Sequence, residues 1–206
     1  MLGGRVLLRY TLLQEAQVND CFSFHTTNNY LGQPHLMPTG LKASSSPIQI
    51  SSTVTELAPN TFVTDQIDLT LNVLDNEVFV VTQINIDVDI PDYPAAGFAN
   101  LVNASVSTTR RTSVGSIADQ NVLGSANRTI TVGIADAGVA FDRESPLFSA
   151  QEVDYLGIIA TNNAFLNLQG FGNGNIKAAQ CRIYGYRATA SSSVYAALVQ
   201  SELLSA

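Results

Sequence analysis

The stretch EVFVVTQINIDVDI, residues 77–90, decides the predicted fold. From residue 83 onward polar and apolar residues alternate: the polar set is Gln83, Asn85, Asp87 and Asp89, and the apolar set is Ile84, Ile86, Val88 and Ile90. Because successive side chains of a strand point to opposite faces of the sheet, this pattern predicts an antiparallel strand with one face in the core and one in solvent. Pro91 and Pro94 end the strand, since proline cannot donate a hydrogen bond to a sheet.

Similar segments lie on both sides of this strand and are separated by turn residues. They are IQISSTVTE (48–56), DQIDLTLNV (65–73), LVNASVSTT (101–109), ANRTITVGIA (126–135), YLGIIAT (155–161), AFLNLQG (164–170) and AQCRIYGYRAT (179–189). In DQIDLTLNV the predicted inner residues are Ile67, Leu69, Leu71 and Val73. Asn162-Asn163 suits a tight hairpin turn between two of the segments. Seven or eight short strands of this kind predict an all-β fold, an antiparallel β-sandwich or single jelly roll.

The predicted sandwich covers residues 47–190, and the segments on either side of it have different patterns. Residues 1–46 join an amphipathic stretch, residues 5–18, to a segment rich in proline and glycine. This combination predicts an N-terminal arm, made of a short helix and an extended segment, that packs on the sandwich or on a neighbour. Residues 191–206 open with three serines that suit a helix N-cap and continue with good helix formers, which predicts a short C-terminal helix.

The composition is low in charge. Charged residues make up 13% of the 206 residues, and 17 acidic against 10 basic residues leave a formal net charge of −7, whereas about 25% charged residues is usual in soluble domains. A hydrophobic content of 46% can build a core and argues against a disordered chain. Lys42 and Lys177 are the two lysines, and lysine is depleted at the centres of protein interfaces. The composition favours a subunit that assembles with neighbours; the alternative is an extracellular β-domain with a Thr- and Asn-rich surface.

Catalytic motifs are scarce. The histidines are His25 and His35, both in the predicted arm, so a three-histidine zinc site is impossible, and no G-x-S-x-G elbow occurs. Residues 170–175 (GFGNGN) lack the Lys-Ser/Thr of a phosphate-binding loop and are predicted to be a flexible connection between strands. Cys21 and Cys181 lack metal-ligand spacing, and buried thiols are favoured over a disulfide. The sequence predicts a protein that is not an enzyme and has no cofactor, Ca²⁺ excepted.

An acidic stretch is the most distinctive charge feature. No Lys or Arg occurs between Lys42 and Arg110, whereas acidic residues are frequent there. Asp87 and Asp89 are two residues apart on one strand and project from the same face, and Asp92 follows the strand. Carboxylate oxygens are ligands that Ca²⁺ prefers. A solvated strand face is the favoured interpretation, and a Ca²⁺ site formed by these three carboxylates is the alternative.

Two groups of residues are candidates for contacts between subunits. Arg110 and Arg111 follow the acidic stretch and could pair with carboxylates across a subunit boundary, because the planar guanidinium suits bidentate contacts. Ordinary surface charges are the alternative. Tyr195 and Leu198 lie on the predicted C-terminal helix, which is expected either to cover the sandwich or to meet another subunit.

From about Ser46 onward the sequence resembles the single jelly-roll coat proteins of small marine viruses. The segments that carry the resemblance are NEVFVVTQINIDVDIP (76–91), DYLGIIATNNAFLNLQG (154–170) and CRIYGYRATASSSVYAALVQSELL (181–204). The resemblance implies a β-sandwich that assembles with copies of itself into the shell of a virion. It also implies that the N-terminal arm and C-terminal helix act as clamps between subunits.

One departure from that family concerns the genome. Many coat proteins that touch packaged nucleic acid have a basic arm, whereas this arm has Arg5, Arg9 and Lys42 as its basic residues. Direct nucleic-acid binding is therefore doubtful, and a shell lined by a membrane or by other structural proteins fits the charge better. Two other functions stay open: a secreted or cell-surface module that binds carbohydrate or Ca²⁺, and a cellular filament or tubule subunit.

Overall fold

The computed structural model describes residues 39–134, 138–145 and 154–204, with the backbone alone for residues 144–145. These residues form ten strands, a short 3-10 helix and one α-helix. The strands are β1 (Leu41–Ala43), β2 (Ile48–Thr55), β3 (Val63–Asp68), β4 (Glu77–Val88), β5 (Ala99–Ser107), β6 (Val122–Val132), β7 (Gly138–Ser145), β8 (Gly157–Ile159), β9 (Asn163–Phe171) and β10 (Ala178–Ala190). The 3-10 helix is Val73–Asp75, and the α-helix, α1, is Ser192–Leu204.

The strands form two antiparallel sheets. In the first sheet β1 and β2 both pair with β10, which is followed by β4 and β8; in the second the order is β3-β9-β5-β6-β7. β1 and β2 both pair with β10 and are counted as one strand position, and β7 is counted as an addition to β6. The ten strands then fill eight positions along the chain: β1/β2, β3, β4, β5, β6/β7, β8, β9 and β10. Their order is then 1-8-3-6 in the first sheet and 2-7-4-5 in the second, which is a jelly roll. The predicted all-β sandwich is confirmed.

The core lies between the two sheets and consists of apolar side chains from their inner faces. Its largest fully buried members are Phe79, Leu69, Ile159, Leu166, Leu168 and Ile183. Each side chain of this size contributes about 1.5–3 kcal/mol when it is removed from water. Burial of this layer therefore holds the two sheets together.

The alternation predicted for β4 is confirmed up to the end of the strand. Ile84, Ile86 and Val88 are buried in the core. Ile90, predicted to face inward, is 65% exposed, so that part of the prediction is wrong. The strand ends at Val88, two residues earlier than the pattern indicated, and Ile90 therefore lies in the loop that contains Pro91.

The segment after β3 leaves the sheet earlier than predicted. Thr70 has a φ of 51°, in the left-handed region, so the alternation of a strand cannot continue through it. Leu69 and Leu71 are still buried, because their N–H groups donate to the backbone and side-chain oxygens of Asn162 at 2.8 and 3.0 Å. Val73 lies in the 3-10 helix and is half exposed, which corrects its predicted inward position.

Asn162-Asn163 does not form the predicted hairpin turn. β8 pairs with β4 in the first sheet, whereas β9 pairs with β3 and β5 in the second. The dipeptide therefore lies where the chain crosses from one sheet to the other. Short strands flanking a turn-forming dipeptide resemble a hairpin in sequence, but the jelly-roll topology places β8 and β9 in different sheets.

A β-bulge in β4 divides the outer face of the first sheet into two halves. Along β10, Tyr184 pairs with Gln83 and Gly185 pairs with Val81, so Thr82 is the extra residue. The Thr82 hydroxyl lies 3.2 Å from the carbonyl oxygen of Tyr184, to which it donates. The bulge reverses the alternation, so that odd-numbered residues before it and even-numbered residues after it face the core. The outer face is consequently apolar on one side of the bulge and polar on the other.

Helix α1 covers the apolar half of this outer face. The sheet supplies Val78, Val80, Tyr186, Ala188 and Ala190, and the helix supplies Val194, Tyr195, Leu198 and Val199. Tyr195 and Leu198, predicted as interface residues, thus pack on the sheet of their own chain. The helix takes the role of covering the sandwich, which was one of its two expected roles.

Glu202 fixes the end of this helix to the edge of the first sheet. Its side chain is buried, and its Oε1 accepts a hydrogen bond from the N–H of Ala160 at 2.9 Å. Burial raises the pKa of the Glu202 carboxyl, and hydrogen bonds from Ala160 and Thr161 offset part of this effect. A carboxylate held in this place therefore destabilises the folded chain at neutral pH.

The remaining predictions concern the N-terminal arm and the cysteines. β1 pairs with β10, so residues 41–43 of the predicted arm join the first sheet; residues 1–38, with His25, His35 and Cys21, lie outside the described residues. Cys181 is a buried free thiol whose pKa is raised to about 11 by desolvation. No helix among the described residues is long and apolar enough to span a membrane.

The bulge yields a test of packing at Gly185. A Cβ at this position would lie 2.7 Å from Phe79 Cε1 and would collide with the carbonyl oxygen of Val80. We expect Gly185→Ala to lower the free energy of unfolding by about 1–3 kcal/mol, measured by urea denaturation. The matched control is Gly174→Ala, because its Cβ would meet its nearest atom, Asp92 Oδ2, at 3.7 Å. Equal midpoints for the two variants would contradict the close approach of β4 and β10.

The buried Glu202 yields a pH-dependent test. The pKa of Glu202 is raised in the folded chain, so folding favours its neutral form. The stability that this neutral form contributes to the fold is lost as pH rises through the folded pKa. Glu202→Gln keeps an acceptor for the Ala160 N–H and removes the charge. We expect a higher Tm at pH 7 and a gain that disappears below about pH 4, where the wild-type carboxyl is protonated. A gain of the same size at both pH values would show that the charge is not the cause.

Candidate interaction surface

Three loops meet at one end of the sandwich, which we call the loop end: residues 56–62, 89–98 and 172–177. Strand pairing brings them together, since Thr55 at the end of β2 and Val88 at the end of β4 lie opposite Ala178 and Ala179 on β10. In the second sheet, Leu101 near the start of β5 lies opposite Phe171 at the end of β9. The loop end is therefore a single surface built from segments that are distant in sequence.

A buried carboxylate joins the first of these loops to the third. Glu56 is buried, and its two oxygens accept hydrogen bonds from the N–H groups of Gly170 at 2.7 Å and Lys177 at 3.0 Å. Both donors are backbone groups at strand ends that would otherwise be buried without a partner. Glu56 therefore ties the end of β2 to β9 and β10.

An ion pair between the buried Lys177 and the partly exposed Asp92 joins the second loop to the third. The Lys177 ammonium donates to Asp92 Oδ1 at 2.6 Å and to the carbonyl oxygen of Ile90 at 3.0 Å. Asp92 Oδ2 accepts from the backbone N–H groups of Gly174 at 2.8 Å and Asn175 at 2.9 Å. The hydrogen bond from Lys177 lowers the pKa of Asp92 to about 2, against desolvation and with help from the two N–H groups. Residues 170–175 were predicted to be a flexible connection, but the first two belong to β9, and the Asp92 carboxylate holds Gly174 and Asn175 in the loop that follows.

Asparagine side chains complete the connections between the loops. The Asn60 side chain makes two hydrogen bonds with the Asn173 backbone: its Nδ2 donates to the carbonyl oxygen at 2.7 Å, and its Oδ1 accepts from the N–H at 2.8 Å. The Asn173 side chain also donates to the carbonyl oxygen of Leu101 and accepts from the N–H of Asp92, while Asn100 donates to the carbonyl oxygen of Asp92 at 2.9 Å. Because every loop is bonded to at least one other, the surface they present is fixed in shape.

Large apolar side chains lie on the solvent side of this polar network. They are more than half exposed, and at the loop end they are Leu57, Ile90, Tyr93, Phe98 and Ile176. Tyr93 and Phe98 line an open cleft of about 660 Å³ whose other wall includes Gly172 and Gly174. Clustered exposed apolar residues on a rigid surface mark a contact site. The loop end is therefore the candidate interaction surface.

The structure does not bring the three predicted Ca²⁺ ligands together. Asp87 lies on the outer face of β4, 3.8 Å from the Arg128 guanidinium. Asp89 Oδ2 accepts from the N–H of Ala178 at 2.7 Å, and Asp92 is bonded within the loop end. Each carboxylate has a separate partner because β4 ends between the first and the second. Across residues 39–134, 138–143 and 154–204, no group of three His, Cys, Asp or Glu side chains could hold a metal ion.

The two predicted interface arginines have different surroundings. The Arg111 guanidinium donates to Asp119 at 2.9 Å and to the side-chain oxygen of Asn121 at 2.7 Å. The Arg111 guanidinium therefore holds its own β5–β6 loop, and its contact with a neighbouring subunit stays a prediction. Arg110 is exposed on the same loop, where a contact between subunits stays a prediction.

The sequence alone did not reveal the residues that form the polar network. Glu56, Lys177 and Asn173 were not singled out, because the contacts of the first two join segments more than 80 residues apart. One signal was present: Lys177 is one of two lysines and stands between Ile176 and an alanine pair, an unusual place for an exposed lysine.

Comparison with known proteins adds little beyond this architecture. No protein-family model matches the chain, and no curated protein matches it in sequence. Among solved structures, a chain from Desmodium yellow mottle tymovirus matches at a TM-score of 0.30 and 13% identity, over 78% of this chain and 99% of that chain. A TM-score this low establishes no shared fold, so the class of the protein, an all-β jelly roll, rests on the strand pairing alone.

The ion pair of Lys177 and Asp92 yields a test of the loop end. Lys177→Met leaves Asp92 and the Ile90 carbonyl oxygen without their shared donor. We expect a loss of roughly 1–3 kcal/mol in the free energy of unfolding, since a hydrogen bond to a charged group contributes about that much and the Asp92 carboxylate left behind is partly exposed. The matched control is Lys42→Met, because Lys42 is exposed on β1 and is expected to contribute little.

The same variants have a distinct pH dependence. The folded pKa of Asp92 lies at about 2, below the ordinary value of 3.8; its contribution is therefore complete above the ordinary value and is lost as pH falls toward 2. The difference in stability between wild type and Lys177→Met should shrink over that window. A difference that stays constant from pH 7 to pH 2.5 would contradict the ion pair.

Proposed function

We propose that this chain is a structural protein whose copies assemble into a closed shell, as the major capsid protein of a virion does. The observation that carries the proposal is the combination of a jelly roll with a filled interior and a rigid, apolar loop end. Jelly rolls occur in viral capsids, lectins and cupins, so the fold alone leaves several functions open. The choice among them depends on where ligands or partners could bind.

The interior of this jelly roll supports a structural role. The space between the sheets is filled with apolar side chains such as Phe79, Leu166 and Ile183. A core packed in this way stabilises the sandwich and leaves its outer surface for contacts. The function is therefore assigned to that surface, to which the loop end contributes five large apolar side chains that are more than half exposed.

The charges support partners that are proteins, above all copies of this chain. Arg111, Arg128, Lys177 and Arg187 each donate to acceptors of their own chain. Their positive charges are used within the fold, whereas phosphate binding needs a basic patch open to the backbone of a nucleic acid. The proposal therefore includes self-association and, as further partners, other structural proteins or an underlying membrane, and it does not include the genome.

Assembly is tested by size-exclusion chromatography and negative-stain imaging of the purified full chain. We expect closed particles. A double variant, Tyr93→Asp with Phe98→Asp, should stay a folded monomer, because two carboxylates at the loop end would have to be buried without partners. The matched control is Leu74→Asp, since Leu74 is 93% exposed in the β3–β4 loop, away from the loop end.

The outcomes separate the proposed function from its alternatives. Particles formed by wild type and by Leu74→Asp, with monomers of the double variant, support it. A wild-type chain that stays monomeric and binds carbohydrate or Ca²⁺ would identify a binding module instead, and open fibres would identify a filament subunit. Particles formed by the double variant would remove the loop end from the contacts.

A further inference from the structure

The edge strand β7 is exposed on both faces. Within the described residues β7 pairs with β6 alone, at the end of the second sheet. Residues 138–143 are all exposed, with Val139 at 50% and Phe141 at 59%. The first sheet ends at β8, which has three residues, and so does not extend under β7. The strand therefore projects beyond the sandwich, and its outer row of backbone N–H and C=O groups has no strand partner among residues 39–134, 138–145 and 154–204.

Arg128 holds this projecting hairpin in place. On β6, its guanidinium donates to Asp142 of β7 at 2.8 Å and to the carbonyl oxygen of Val88, at the end of β4, at 2.6 Å. One side chain thus joins β7, β6 and the edge of the first sheet. An isolated two-stranded hairpin is marginally stable, whereas this one is anchored to the sandwich and presents an ordered edge.

We propose that β7 pairs in antiparallel fashion with β7 of a second copy of this chain, which joins the second sheets of two subunits across a two-fold axis. The inference rests on the proposed function and names one contact of the shell. An exposed edge strand is a template for another strand, and a two-fold axis lets the same edge serve both subunits.

The charges along β7 select the register of this pairing. The strand reads GVAFDRES, apolar from Gly138 to Phe141 and charged after it. A register centred on Asp142 or on Arg143 would place like charges directly opposite one another, which destabilises a strand pair. A register centred on Ala140 places Val139 opposite the partner's Phe141 and moves the charges to the two ends. A register centred on Phe141 would place Asp142 and Arg143 opposite the partner's Ala140 and Val139, so the sequence of the strand favours the register centred on Ala140, which keeps the apolar residues opposite one another.

The size of the contact fits a shell better than a free dimer. A stable interface buries about 800 Å² on each partner, and one strand edge of eight residues with two large apolar side chains is smaller than that. The pairing is therefore expected to be weak in isolation and to persist when several contacts act together, as they do in a closed assembly.

Cysteine cross-linking in the full chain tests the register. In antiparallel pairs, residues directly opposite have Cα atoms about 4.5–5.5 Å apart, within the range of a disulfide. We expect Ala140→Cys to give a covalent dimer on mild oxidation. The matched control, Arg143→Cys, lies on the same exposed strand but is offset from its counterpart by six residues, about 20 Å, and should not cross-link. Each of the two cysteine variants is prepared twice, once with the native Cys21 and once combined with Cys21→Ser.

Each outcome is decisive. A dimer formed by Ala140→Cys and not by Arg143→Cys supports the pairing, in particles or in solution. Particles in which Ala140→Cys stays uncross-linked would overturn the pairing and leave the proposed function standing. A cross-linked dimer in a preparation without particles would support the pairing and refute the shell. A disulfide within one chain that disappears with Cys21→Ser would assign the edge to the N-terminal segment and overturn the proposal.

Discussion

The ammonium group of Lys177 is enclosed where three loops meet, and it requires a carboxylate there, because an unpaired buried charge costs several kcal/mol. Asp92 supplies that carboxylate and also accepts from two backbone N–H groups of the following glycine-rich loop. The pair therefore links β4 to β10 and gives the loop between β9 and β10 its shape. The exposed apolar side chains of the loop end have fixed positions because this charged group beneath them is satisfied.

Several positive charges of the described residues are used within the chain. Arg128 joins three strands, Arg111 holds the β5–β6 loop, and Lys177 holds the loop end. Several carboxylates, by contrast, are exposed, among them Asp87. Residues 138–141 of β7 carry no charge, whereas the loop end has the exposed Asp89 beside its large apolar side chains. Surfaces of that kind favour contacts between proteins over contacts with phosphates.

Side-chain alternation predicted most of the fold, since it reports directly which residues face a core. It identified Ile84, Ile86 and Val88 correctly but could not show the bulge at Thr82, because the preceding VFVV is apolar on both faces and hides the change of phase. It also could not show that β8 and β9 lie in different sheets, since strand pairing depends on topology. The loop-end network was missed for the same reason: Glu56, Asp92 and Lys177 come together through contacts between distant segments.

Self-assembly is the central claim, and sedimentation velocity of the purified full chain over a range of concentrations tests it most directly. The account predicts a monomer boundary at low concentration and, above a threshold, a second, discrete and much faster boundary, because closed shells have one size. A single monomer boundary at every concentration would contradict it, and so would a continuous spread of sizes.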